Sequence, residues 1–167
     1  MNRTEFWKII DDAVTQTPKA REVCELIKHE LRKRSEEEIV AFEEESCRIM
    51  HEAYRADLWT IAYIILGGCS DDGFDYLRYW LICQGSSVFQ QVLDHPETLA
   101  DFDQRTAEYS CQEFGSIARE VYEEKTDDYQ ISIDESLYGP GELIGEILDD
   151  DAKRERYPEL WARFMED

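Results

Sequence analysis

Asp57-Leu58-Trp59-Thr60-Ile61-Ala62-Tyr63-Ile64-Ile65-Leu66-Gly67-Gly68-Cys69-Ser70-Asp71-Asp72-Gly73-Phe74 is the stretch on which the fold turns. From Leu58 to Leu66 it is apolar nearly all round, the mark of a helix buried on most of its faces rather than on one stripe. This helix is therefore expected at the centre of the molecule. Gly67-Gly68 supplies a left-handed stop. Ser70 is positioned to cap a following helix, with Asp71 and Asp72 in its first turn, where negative charge is favoured. That helix is expected to run to about Gln84 and to end at Gly85.

Upstream, Thr4 is expected to cap a first helix of about twelve residues carrying Phe6, Trp7, Ile10 and Val14, which Thr17-Pro18 ends. A second helix follows through Val23, Leu26, Ile27 and Leu31, and the two should pack as a hairpin. Lys28, Arg32, Lys33 and Arg34 suit the negative end of its dipole. Ser35-Glu36-Glu37-Glu38 has the spacing of a capping box. It opens a third helix whose apolar face runs Ile39, Phe42, Ser46, Ile49, Met50 and Ala53, with Glu43, Glu44 and Glu45 expected toward solvent. Asp57 is placed to end this helix and cap the central one.

Downstream, a short helix is expected from Ser86 or Ser87 to Leu93, stopping at His95-Pro96. A longer one is expected from about Glu108 to Glu124. From Thr126 to Gly141 the helical pattern fails. Tyr129-Gln130-Ile131-Ser132-Ile133 alternates as a strand does, yet one short strand without a partner is weak support for a sheet. The segment is expected as a loop against the helical body, with Tyr138-Gly139-Pro140-Gly141 as a turn. Pro158 then opens a terminal helix packing Leu160, Trp161 and Phe164.

The 167 residues, 43% of them apolar, suffice for one core, and the chain is read as a single domain over 1–167. Its start has no apolar run of the kind a signal peptide or membrane span needs, so a soluble cytoplasmic protein is expected. Five widely spaced cysteines, never as C-x-x-C, are read as reduced core thiols. The 39 acidic residues against 18 basic ones leave a formal charge of −21. A field of that sign repels nucleic acid and anionic lipid, whose binding needs cationic side chains. It suits instead a basic protein partner, or a partner that ordinarily holds nucleic acid.

Several motifs together resemble a bacterial family, domain of unknown function 4240. They are Ala53 to Trp59, Gly67 to Phe74, Arg78-Tyr79-Trp80-Leu81, Phe6-Trp7 near the start and Tyr157-Pro158-Glu159-Leu160-Trp161 near the end. The resemblance implies no particular activity, so candidate chemistry rests on the residues themselves. Asp57, Trp59, Asp72, Arg78 and Trp80 form one candidate ligand site, since an arginine among aromatics and carboxylates orients a polar ligand. The competing reading makes Arg78 a structural partner of Asp75 and Asp71, one and two turns away on its own helix.

Metal chemistry is not expected. Adjacent helical residues project about 100° apart, so Asp71 and Asp72 do not converge, and the run lacks the ligand alternation of a calcium loop. Cys47 and His51, with Cys24 and His29 from a neighbouring helix, would offer four soft ligands, but Cys24 and His29 splay. No nucleophile elbow, zinc-protease motif or phosphate loop is present, and no cofactor is expected.

The sequence thus predicts an all-α fold of seven or eight helices with a long loop near the C-terminus. It favours a non-enzymatic acidic module that binds a protein, as a regulator or toxin-immunity protein, with Glu37, Glu44 and Glu45 in the contact face. The alternative is a small-ligand sensor or enzyme built around Asp57, Asp72 and Arg78.

Overall fold

The computed structural model describes residues 1–102 and 107–166, and among them every regular element is helical. Nine α-helices run α1 (Arg3–Val14), α2 (Ala20–Leu31), α3 (Glu36–Glu52), α4 (Ala56–Leu66), α5 (Asp71–Ile82), α6 (Ser86–Asp94), α7 (Ile117–Thr126), α8 (Asp150–Arg156) and α9 (Pro158–Phe164). Short 3-10 segments lie at Pro96–Asp101, Gln112–Ser116 and Glu135–Leu137. The all-α class expected from periodicity is what forms, with more helices than the seven or eight counted. The uncounted one is α8, whose seven residues offer too few apolar positions to show a period. Its signals are Asp149, which caps Ala152 N at 2.8 Å, and basic side chains in the last turn.

Local chemistry sets most boundaries. Ser35 and Glu38 make the reciprocal capping box at the head of α3. Ser70 Oγ accepts from Gly73 N at 3.2 Å at the head of α5. Gly67 ends α4 at φ 67°, a conformation that would strain a residue with a Cβ. The cap of α1 is Asn2, not Thr4: its side chain accepts from Glu5 N and Glu5 returns the bond. α7 begins only at Ile117, because Gln112–Ser116 winds as a tighter 3-10 turn. Asp57 does not cap α4 from outside. It lies in the first turn, and its carboxylate takes Leu58 N at 2.8 Å and the Arg55 guanidinium at 2.8 and 3.0 Å.

Tertiary packing follows the expected faces. α1 and α2 form the predicted hairpin, α3 packs against α7, and α4 is covered by α5, by α9 and by the Pro96–Asp101 turn. Phe6, Phe42, Phe74, Leu58 and Ile61 are fully buried in one apolar cluster. The head of α6 depends on a distant residue: Asp11 of α1 accepts from Ser86 N at 2.7 Å and from Ser86 Oγ at 2.6 Å. Among the described residues the one β-type contact is an isolated parallel bridge between Arg55 and Ile144, with Ala56 N to Ile144 O and Ile144 N to Tyr54 O both at 2.9 Å. It pins the C-terminal segment to the α3–α4 junction. No helix among the described residues is long and apolar enough to cross a membrane.

Ser70→Ala removes one cap bond of a helix that carries the buried Phe74 and Arg78. It is expected to lower stability by about 1 kcal/mol. An unchanged denaturation midpoint would show that the Gly67-Gly68 stop and first-turn aspartates suffice to start α5.

Candidate functional site

Arg78 leaves α5 toward the end of α3 and is only 1% exposed. Its position follows from the way α3 terminates. The N–H of Tyr54 turns to His51 O rather than to Met50, so Met50 O has no helical donor. Arg78 Nη1 donates to that carbonyl at 2.6 Å, and Nη2 bonds Asp75 one turn back on α5. The guanidinium lies over two rings, 4.8 Å from the Tyr54 centroid and 4.9 Å from that of Phe74. Phe74 is in turn stacked on Trp59 at 4.8 Å and 12°.

Beside Arg78 opens a pocket of about 360 Å³ between α3, α5 and the Gln112–Ser116 turn. Glu43, Ser46, Cys47 and His51 contribute one wall, and Asp71, Asp75, Arg78 and Tyr79 another. The roof is the segment expected as a loop. Ile133 and Leu137 point inward, and Tyr138-Gly139-Pro140 close the rim. His51 Nε2 donates to Gly139 O at 2.9 Å and ties the roof down. Gly141 is required by the same contact, since a Cβ there would stand 2.8 Å from His51 Cγ, at a φ of 78°. The alternation of Tyr129 to Ile133 is therefore real, but it describes a one-sided strap and not a strand.

Burial is the first cause of the shifts of the titratable groups that line the pocket. Burial pushes the Cys47 thiol up to about 11. It raises the Tyr79 hydroxyl as well. Neither group is an activated nucleophile. Glu43 is buried, which raises its pKa, and Arg119, with Nε 3.1 Å from the carboxylate, opposes that rise. Ser46 Oγ and Arg78 Nε are buried at the wall without a hydrogen-bond partner, an unusual state for polar atoms inside a protein.

The residues grouped by sequence as one ligand site are spread over several places. Arg78 lines the pocket. Asp57 lines a separate cleft of about 190 Å³ with Arg55, Thr60 and Ile144. Trp59 stands behind Phe74, its Nε1 donating to Cys69 O at 3.0 Å. Asp72 is exposed, whereas Asp71 reaches the pocket rim. Trp80 is buried against Phe102 and Tyr109, because residues two apart on a helix project about 200° from one another.

Of the acidic partner face, Glu37 is exposed as expected. Glu45 is buried, bound to Arg48 and Arg3, and Glu44 bonds Arg48 and Asp134 N. The expectation that Glu43 and Glu45 face solvent is thus corrected: distant arginines from α1 and α7 fold over them. The four soft ligands do not assemble either. Cys47 and His51 share the pocket wall, His29 is exposed on α2, and Cys24 meets Cys83 and Cys111 in the core, at Sγ separations of 3.8 and 3.4 Å.

Arg78→Lys keeps the charge but gives up the planar fork that spans Met50 O and Asp75. It is expected to cost about 1–3 kcal/mol, the penalty of a buried carbonyl left without a donor. Asp75→Asn should cost less, because the Asp75 side chain is 43% exposed. Equal losses in chemical denaturation would make the ion pair, rather than the carbonyl contact, the stabilising element. Glu43 gives a pH signature. Its folded-state pKa is raised above the unfolded value, so the folded form binds the proton more tightly, and stability falls as pH rises through that window. Relative to Glu43→Gln, the wild type should lose stability as pH climbs from about 4 through the window above the ordinary carboxylate pKa. A pH-independent difference in melting temperature would assign the effect to packing.

No curated protein and no solved structure matches this chain. A family match does exist over residues 1–124, which takes in the helices that wall the pocket and stops short of the strap that roofs it; the closing Tyr157 to Trp161 also lies outside. On that match the chain belongs to the family described as protein of unknown function DUF4240.

Proposed function

We propose that this protein is a non-enzymatic interaction module whose C-terminal strap engages a basic protein partner. One observation carries the reading. Between residues 126 and 152 the chain has nine acidic side chains and no lysine, arginine or histidine. All nine are exposed. The same segment presents Tyr129, Tyr138, Ile144 and Ile147, four of the five large hydrophobics exposed among the described residues, Tyr129 at 77%.

Exposed aromatic and aliphatic side chains framed by like charge have the composition of a recognition surface: apolar anchors supply affinity, and charge supplies steering and selectivity. A second copy of the chain is disfavoured as occupant, since two molecules of formal charge −21 repel. A basic surface with apolar sockets complements both features, as a regulator's target or a toxin would. The contact face moves accordingly from Glu37, Glu44 and Glu45 to the strap, because the carboxylates of Glu44 and Glu45 are already engaged inside the protein.

A second reading, a sensor of a small polar ligand, is favoured by the pocket of about 360 Å³ beside Arg78, which Glu43, His51, Asp71, Asp75 and Arg119 line with polar side chains. Native mass spectrometry of the purified protein, with His51→Ala as the variant that frees the roof, tests it.

For the module, a photo-crosslinking residue at position 129 or 147 should capture a basic protein in the source cell that a crosslinker at position 33, in the turn after α2, does not. With that protein purified, Tyr129→Ala and Ile147→Asp should each weaken binding about tenfold or more at unchanged melting temperature. Raising salt should slow association. An acidic partner, or affinities that ignore both substitutions, would overturn the reading.

A further inference from the structure

Cys24, Cys83 and Cys111 are 59 and 87 residues apart along the chain as measured from Cys24, yet their sulfurs meet. Cys24 lies in the middle of α2, and Cys83 is the residue on which α5 ends. Cys111 precedes the Gln112–Ser116 turn and is fixed by its own N–H, which donates to Tyr76 O at 3.0 Å. All three ligand atoms lie within 4.8 Å of one another, and each residue is 1% exposed. The other two cysteines, Cys47 and Cys69, are half-buried elsewhere.

We propose that these three cysteines form a trigonal thiolate site for one soft monovalent cation, Cu(I). A metal–thiolate bond of about 2.3 Å places three sulfurs about 3.8–4.0 Å apart in tetrahedral or trigonal geometry. The observed 3.8 and 3.4 Å separations, with the third side within 4.8 Å, admit an ion with only small adjustments. The donor set selects the ion. Thiolates favour Cu(I), zinc and iron–sulfur clusters over hard cations. Structural zinc takes four protein ligands, and no fourth histidine, cysteine or carboxylate joins this group among the described residues. At 1% exposure the site also excludes water as a routine fourth ligand. Three sulfurs in a dry core match a three-coordinate d10 ion.

Binding involves no change of oxidation state. Copper enters as Cu(I), thiol protons leave to solvent as Cu–S bonds form, and the bound ion couples α2, the end of α5 and the turn before α7. The site lies apart from the strap, and its test is independent of any protein partner.

The experiment uses the full chain carrying Cys47→Ser and Cys69→Ser, so that the three clustered thiols are the only ones present. Reduced protein is mixed anaerobically with Cu(I) supplied as a weak chelate, either in the native state or during refolding, and then desalted. The expected results are one copper retained per chain, a thiolate-to-copper absorption band in the ultraviolet, and a raised melting temperature. Copper-edge X-ray absorption should show sulfur neighbours alone at about 2.3 Å. Cys111→Ser should lose stoichiometric retention; if that variant does not fold, Cys83→Ala takes its place. Three outcomes would overturn the proposal: no copper retained by either loading route, equal retention by the two-thiol variants, or zinc held in preference with an oxygen or nitrogen neighbour.

Discussion

The contact between the Arg78 guanidinium and the Met50 carbonyl is the interaction on which the centre of this protein depends. A helix that ends inside a protein leaves carbonyls needing donors, and α3 ends against the core because Tyr54 turns back at once toward the buried α4. A long side chain with several fixed donors, arriving from α5, answers that need. The cost of burying the cation is offset by Asp75, by the carbonyl and by the Tyr54 and Phe74 rings on which it rests. In a chain with 18 basic residues against 39 acidic ones, one of the cations is committed to this buried position, where its planar fork reaches Met50 O and Asp75 at once.

From that contact the rest of the site follows. Arg78 ties the end of α3 to α5, and the space beside it, where neither helix fills the gap, is the pocket. The strap spans that gap and is tied to the helical body by contacts of different chemistry: the Asp134 N–H bond to the Glu44 carboxylate, the His51 bond to Gly139 O and the backbone bridge between Arg55 and Ile144. Its buried residues, Ile131, Ile133 and Leu137, are apolar, and its exposed ones include acidic, aromatic and aliphatic side chains. One segment therefore closes a cavity of mixed polar and apolar lining on one side and presents exposed acidic and hydrophobic side chains on the other. Few hydrogen bonds hold it compared with a helix, so it is the part of the site whose opening costs least.

Several of the fold's polar links are long-range substitutes for local ones. Asp11 caps α6 from α1, because Gly85 at that N-cap has no side chain to do so. Arg119 and Arg3 cover Glu43 and Glu45, which an isolated helix would turn to water. The thiol cluster is the same kind of event, three separated positions converging because three helical elements do.

By itself, the sequence determined whatever depends on neighbours within about a turn. The apolar run of Leu58 to Leu66, the Gly67-Gly68 stop, the Ser35 and Ser70 caps and the α1–α2 hairpin were legible because propensity, period and capping act over three or four residues. The all-α class and the family both follow from that stretch and its flanks. Tertiary structure alone decided which side chains share a site. Arg78 meets Met50 across 28 residues, His51 meets Gly139 across 88, and Cys24 meets Cys111 across 87. No local pattern encodes such meetings, because each is set by how whole helices pack. Grouping Arg78 with Asp57, Asp72 and Trp80 used proximity along the chain where the helix directs side chains apart. The acids of α3 looked solvent-facing for a related reason: their arginine partners lie more than forty residues away in the case of Arg3 and more than seventy in that of Arg119, and only the folded chain brings them over.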